Sequence, residues 1–175
     1  LIFNGATIKT SSTNALVIVK ASEMDSSSSM SPSIAKKLDF SKAGVKIIIA
    51  DGTTNTISGA KSSSKDGAIH SAVTILFTGG DKGDGVLNVI GTSEGIEVER
   101  HFLMDGGILN IAAQDDGINA KTDNVALAYF RGGKCLVNSG LGSEDDGEHD
   151  DADDRDADDH DRDLSIGRAS CRERV

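Results

Sequence analysis

Tryptophan is absent, tyrosine and proline occur once each (Tyr129 and Pro32), and the 175 residues hold only five phenylalanines and two cysteines. Each shortage excludes something. Cys135 and Cys171 alone make neither a disulfide framework nor a zinc-type ligand spacing. No run of about 18 apolar residues occurs, so no helical membrane span is expected. No long stretch carries apolar residues at i, i+3, i+4 and i+7, which argues against a helical domain. There is no basic stripe and no interleaving of aromatic with basic residues, so nucleic acid is not an expected partner. Phe102, Tyr129 and Phe130 are the few candidates for an aromatic sugar platform.

What the chain does have is 20 glycines, much Ser and Thr, and an apolar set made mainly of Val, Ile, Leu and Ala. That mixture suits many short strands joined by tight turns. The net charge of −10 is a local property. Residues 1–141 hold 14 acidic and 13 basic side chains, close to balance. Residues 142–165 hold 13 acids against Arg155 and Arg162. A block of that composition cannot bury apolar surface, so an acidic disordered segment is expected over 142–165. A shifted reading frame near Gly147 is another reading of the same block. Residues 166–175, Ile-Gly-Arg-Ala-Ser-Cys-Arg-Glu-Arg-Val, resemble one frame of a translated sequencing adapter, and are set aside as an artefact.

The main signal is a repeat. Gly85-Val86-Leu87-Asn88-Val89 is followed by Ser93-Glu94-Gly95-Ile96-Glu97-Val98. Twenty-two residues later Gly107-Ile108-Leu109-Asn110-Ile111 is followed by Asp115-Asp116-Gly117-Ile118-Asn119-Ala120. A third copy starts at Gly133-Lys134-Cys135-Leu136-Val137-Asn138, and Asp66-Gly67-Ala68-Ile69-His70 is a looser upstream version. A period near 22, built of two or three short strands with Gly-rich corners, is about one coil of a β-solenoid. The fold expected over residues 1–141 is therefore an all-β, incomplete, right-handed parallel β-helix. Val89 should stack on Ile111 and Val137, and Ile96 on Ile118, with corners at Gly79-Gly80, Gly106-Gly107 and Gly132-Gly133.

The phrase Ala50-Asp51-Gly52-Thr53-Thr54-Asn55-Thr56-Ile57, the Gly-Gly corners and Asp-Asp-Gly-Ile-Asn-Ala together resemble a family of bacterial carbohydrate-binding domains. The resemblance covers roughly Asn4 to Gly147 and departs from the pattern at the Ser-rich stretch 26–33 and after Gly147. It implies a pectate-lyase-like parallel β-helix that carries calcium and binds acidic plant polysaccharides such as polygalacturonate, or associates with cellulose. It also implies an extracellular or cell-surface location and a chain from which later coils, and a signal peptide, are missing. An uncapped solenoid end exposes its apolar ladder and strand edges, so self-association is expected.

Stacked coils bring equivalent positions about 4.8 Å apart. Carboxylates stacked at the Glu94, Asp116 and Asp146 positions would repel, and a hard cation would relieve them. Candidate calcium ligands are Glu94, Glu97, Asp115, Asp116, Asn119, Asp145 and Asp146. Solvated turn-formers are an equal reading of the same residues, because Asp before Gly favours turns for backbone reasons. Lys121, Lys134 and Tyr129 are the candidate sugar contacts. The reading favours binding over catalysis and names no catalytic residue. A polysaccharide lyase with Lys121 as base, and the structural shaft of an adhesin, remain the alternatives. His70 and His101 read as isolated, and Cys135 as a half-buried core thiol.

Overall fold

A computed structural model describes residues 1–22, 40–121, 126–140 and 164–166. Apart from one 3-10 turn at Phe40–Lys42, the regular structure in these residues is all β. The strands are β1 (Ile2–Phe3), β2 (Thr7–Lys9), β3 (Leu16–Ile18), β4 (Val45–Ile49), β5 (Thr54–Gly59), β6 (Gly67–Ser71) and β7 (Ile75–Gly79). They continue as β8 (Val86–Gly91), β9 (Glu94–Val98), β10 (His101–Ala113), β11 (Ile118–Ala120), β12 (Leu127–Asn138) and β13 (Leu164–Ile166).

Each of β1 to β6 pairs in parallel with the strand three places later: β1 with β4 and β4 with β7, β2 with β5 and β5 with β8, β3 with β6 and β6 with β9. The chain is thus laid down in layers of three strands. The long strand β10 belongs to two stacks at once, its first part pairing with β7 and its second with β8. β12 lies along the whole of β10. An eight-stranded and a five-stranded sheet result. β13 closes the second sheet by pairing antiparallel with β11, through Ile118 opposite Ile166. It spans the 165/166 boundary set by the adapter-like last ten residues, and the remainder of both C-terminal segments lies outside the described residues.

The predicted ladders are the observed registers. Ile57, Val89, Ile111 and Val137 align across four layers, and Ile69, Ile96 and Ile118 across three. All but Val137 are buried, and Val137 packs against the same core cluster. β-branched side chains stacked on their own kind fill the space between sheets without rotamer strain. The repeat is less regular than 22. That offset holds for Val86 with Ile108 and Ile96 with Ile118, whereas Ile108 pairs with Lys134, 26 residues on. Between the first two layers Leu16 pairs with Ile69, leaving room for the Ser-rich stretch, which lies outside the described residues. Extra residues enter at corners, where they do not disturb the ladders.

The Gly-Gly corners stack as expected. Gly107 and Gly133 have φ of 78° and 88°, a region that costs a side-chained residue strain. A Cβ on Gly79 would also come within 2.8 Å of the Gly107 amide nitrogen, so the backbones approach too closely for a side chain there. The Asp51-Gly52 turn is likewise backbone chemistry. The Asp51 carboxylate accepts the Lys82 and Gly83 N–H groups at 2.8 and 2.9 Å, and Asp84 accepts the Gly52 N–H at 2.8 Å.

Asn55 interrupts an inward ladder that continues through Leu87, Leu109 and Cys135. Fully buried, it accepts the Ala6 N–H at 2.8 Å and donates to Thr53 Oγ1 at 3.0 Å and to the Val86 carbonyl at 3.1 Å. Its amide therefore ties three layers together. Asn55→Ala is expected to cost about 1–3 kcal/mol, because the Ala6 and Val86 backbone groups lose their partner. Urea unfolding followed by circular dichroism checks it, and an unchanged midpoint would refute the clamp.

Candidate functional site

On β6 and β9 every residue is buried, including those whose side chains point away from the apolar core. In the register His70, Glu97 and Asn119 stand side by side across β6, β9 and β11. A buried polar row must find its hydrogen bonds within the protein, and this one does so by forming a cluster.

Glu97 is its centre, with only 1% of its side chain exposed. Its Oε2 lies 2.7 Å from His70 Nδ1 and accepts the Asp66 N–H at 2.9 Å. Its Oε1 lies 2.6 Å from Lys121 Nζ. Burial raises the Glu97 pKa, but the hydrogen bonds from His70, Lys121 and the Asp66 amide outweigh it and hold the carboxyl down at about 2. The second ring nitrogen of His70 faces Glu99 Oε1 at 3.4 Å.

Glu94 behaves in the opposite way. It is 5% exposed, and its Oε1 accepts a hydrogen bond from Asn119 Nδ2 at 2.8 Å. Its Oε2 is buried with no hydrogen-bond partner. Burial, reinforced by the negative charges of Glu97 and Asp66, pushes its carboxyl up to about 7 against the pull of Asn119 and Lys121. Two carboxyls three residues apart on one strand are thus driven to opposite protonation behaviour. Lys121 is held above the usual lysine range by Glu97, despite burial, so it stays an ammonium ion.

This arrangement belongs to a chain that a family model covers over most of its length, matching residues 26–160 as a carbohydrate-binding domain-containing protein. The chain belongs to that family. No curated protein and no solved structure matches it.

Of the residues nominated for calcium in this carbohydrate-binding domain, Glu94, Glu97 and Asn119 come together, joined by Lys121. Asp115 and Asp116 occupy the turn before β11, exposed and half-buried respectively. Their backbone lies against the turn that carries Glu94, with the Gly95 N–H donating to the Asp116 carbonyl at 2.9 Å. Asp145 and Asp146 lie outside the described residues. Among the described residues no group of three or more His, Cys, Asp or Glu side chains is arranged as a metal site.

The nominated sugar contacts do not converge. Lys134 is exposed on the second half of β12, opposite Ile108, whereas Tyr129 lies on the first half and packs against Leu76 and Leu103. Tyr129 therefore serves a small satellite core. Cys135 is the half-buried thiol expected, and burial pushes its pKa up to about 11.

His70 is the residue the sequence reading misjudged. It is not isolated, because its ring sits between two carboxylates. The signal was present: in Ala68-Ile69-His70, Gly95-Ile96-Glu97 and Gly117-Ile118-Asn119 the residue after the stacked isoleucine occupies the same place in each layer.

Proposed function

We propose that the chain is a right-handed parallel β-helix that acts as a non-catalytic carbohydrate-binding module, assisted by calcium, for an acidic or plant cell-wall polysaccharide outside the cell. The observation that carries the calcium reading is the Glu94 Oε2 atom, a buried acceptor without a partner. Oxygen ligands from Glu94 and Asn119, with the Asp115–Asp116 turn alongside, suit a hard cation. The Glu97 oxygens are already taken by His70, the Asp66 amide and Lys121, so Glu97 would contribute only its charge. Calcium takes six to eight oxygens, so backbone or sugar oxygens would complete what these side chains begin. The ion would supply a positive centre to which a uronate carboxylate can bind.

The state of Lys121 supports binding over catalysis. A lyase base has to be neutral near working pH. Pairing with Glu97 moves the Lys121 pKa in the wrong direction for that role.

Affinity electrophoresis of the full chain through polygalacturonate gels, with calcium and then with a chelator, tests the reading. Retardation in calcium that vanishes with chelator is expected, and Glu94→Gln is expected to abolish the calcium dependence. Equal retardation under both conditions would remove calcium from the account. No retardation by polygalacturonate and no pull-down by cellulose would remove the substrate class.

A further inference from the structure

The outward face of the stack formed by β2, β5, β8 and the second halves of β10 and β12 carries no acidic residue. Thr7–Lys9, Thr54–Gly59, Val86–Gly91, 107–113 and 133–138 contain neither Asp nor Glu, although the chain holds 28 acids against 18 Lys and Arg. Inward positions on these strands are the Ile57–Val89–Ile111 ladder, so alternation sends the intervening residues outward.

Thr7, Thr56, Asn88, Asn110 and the exposed Leu136 form one outward row in register. The two asparagines are stacked, with Asn110 Nδ2 donating to Asn88 Oδ1 at 3.0 Å, and Asn88 Nδ2 reaches the Asn55 carbonyl at 3.4 Å. Their amides are therefore held in one orientation before any ligand arrives. The row is flanked by exposed Lys9 in the first layer and exposed Lys134 in the last. No ion pair ties either lysine to a carboxylate among the described residues. Successive layers are about 4.8 Å apart and Lys9 shares its register row with Asn138, so the two lysines stand about 19 Å apart across the strands and about 13 Å apart along them, one on each side of the asparagine row.

We infer that this face binds one extended stretch of an anionic polysaccharide, a uronic acid polymer, laid across the strands over the Asn88–Asn110 row with Lys9 and Lys134 on its carboxylates. The inference rests on the carbohydrate-binding reading and adds a second contact face for the same class of polymer, on the other sheet from the Glu94–Glu97 cluster. The outward rows on either side of the asparagines are largely aliphatic, with Ile90 and Leu136 exposed, so the face offers oriented amides beside apolar patches, which suits a sugar chain that presents both hydroxyls and C–H faces. Two lysines on a surface with no acidic strand residue select a negatively charged one.

The test compares the full chain with Lys9→Glu/Lys134→Glu and with Lys61→Glu/Lys82→Glu, which changes the net charge equally at exposed lysines elsewhere. Each runs through gels of polygalacturonate and of an uncharged glucan. The face variant is expected to bind polygalacturonate roughly tenfold more weakly or worse, while the control variant keeps most of its affinity. Its melting temperature should be unchanged, since surface substitutions seldom affect stability. Asn110→Leu should weaken binding without altering net charge. Equal loss in both charge variants, or none in the face variant while the wild type binds, would overturn the assignment of the face alone. Wild-type binding to the neutral glucan only would overturn the anionic class. A wild type retarded by neither polymer would overturn the carbohydrate reading and this inference with it.

Discussion

Glu97→Ala is expected to destabilise the chain by about 2–4 kcal/mol, well beyond an ordinary surface substitution. The carboxylate satisfies three donors at once: His70 Nδ1, Lys121 Nζ and the Asp66 amide. Without it the buried His70 Nδ1 and the part-buried Asp66 N–H both lose their acceptor. The Lys121 side chain is 41% exposed and can turn to water, which keeps the loss below that of a fully buried pair. The pH profile identifies the cause. Glu97 titrates at about 2 in the folded chain, below its ordinary value of 4.5, so its contribution is present above about pH 4.5 and lost as pH falls towards 2. Glu94 has the opposite sign. Raised to about 7, its contribution is full below pH 4.5 and lost as pH rises through about 7. In chelator, the melting temperature should therefore climb from pH 2 to 4.5 and decline towards neutrality. Glu97→Ala should flatten the acid limb and Glu94→Gln the other, the latter variant melting higher than wild type at about pH 8. Thermal melts by circular dichroism read both limbs, and a wild-type profile in either variant would contradict the assignment.

Phe102→Ala is expected to cost about 3–5 kcal/mol. The ring is fully buried between Phe77 and Phe130, with centroids 5.5 and 5.4 Å away in tilted arrangements. These rings form a stack through successive layers of the first sheet, in a chain with few aromatics to spare. Removing the middle one leaves a cavity that short, hydrogen-bonded strands cannot collapse to fill, and forfeits two ring contacts as well. Phe102→Leu retains most of the volume and should cost about 1–2 kcal/mol. The midpoint of urea unfolding should drop at an unchanged slope. A loss under about 1 kcal/mol in the alanine variant would show that the stack contributes little.

Both predictions draw on features with different visibility in the sequence. The Val89–Ile111–Val137 and Ile96–Ile118 alignments were readable from spacing alone, whereas the Phe102 environment was not, because its ring meets Phe77 and Phe130 diagonally, both of them being in register with Met104. Ladders are legible because each layer must bury the same kind of residue over its neighbour, so the requirement is written repeatedly along the chain. The irregular offsets between layers were less legible, since corners accept insertions without penalty to the ladders. The buried asparagine at position 55 was not legible either. Nothing local distinguishes an inward Asn that bonds three layers from an outward one such as Asn88.

The candidate site divides along the same line. Acidic turns stacked by the repeat nominated Glu94, Glu97 and Asn119 for calcium, and Lys121 was nominated as a sugar contact; the fold brings these four together. The roles within the cluster came from burial. Glu94 and Glu97 are the same amino acid three residues apart, yet one is raised to about 7 and the other lowered to about 2. Which of them receives His70, Lys121 and the Asp66 amide depends on neighbours 27 and 31 residues earlier and 24 later in the chain. Lys134 and Tyr129, nominated for the same purpose, separate because β12 turns at Gly132–Gly133 between them.

The sequence by itself determined that this chain is all-β, layered and repeating, because burial of β-branched residues between glycine corners imposes a period that can be counted. Only the tertiary structure decided which polar residues are buried and which carboxyl keeps its charge. Desolvation and hydrogen bonding depend on what the neighbouring layers place against a side chain, and that is set by packing across the stack rather than by local sequence.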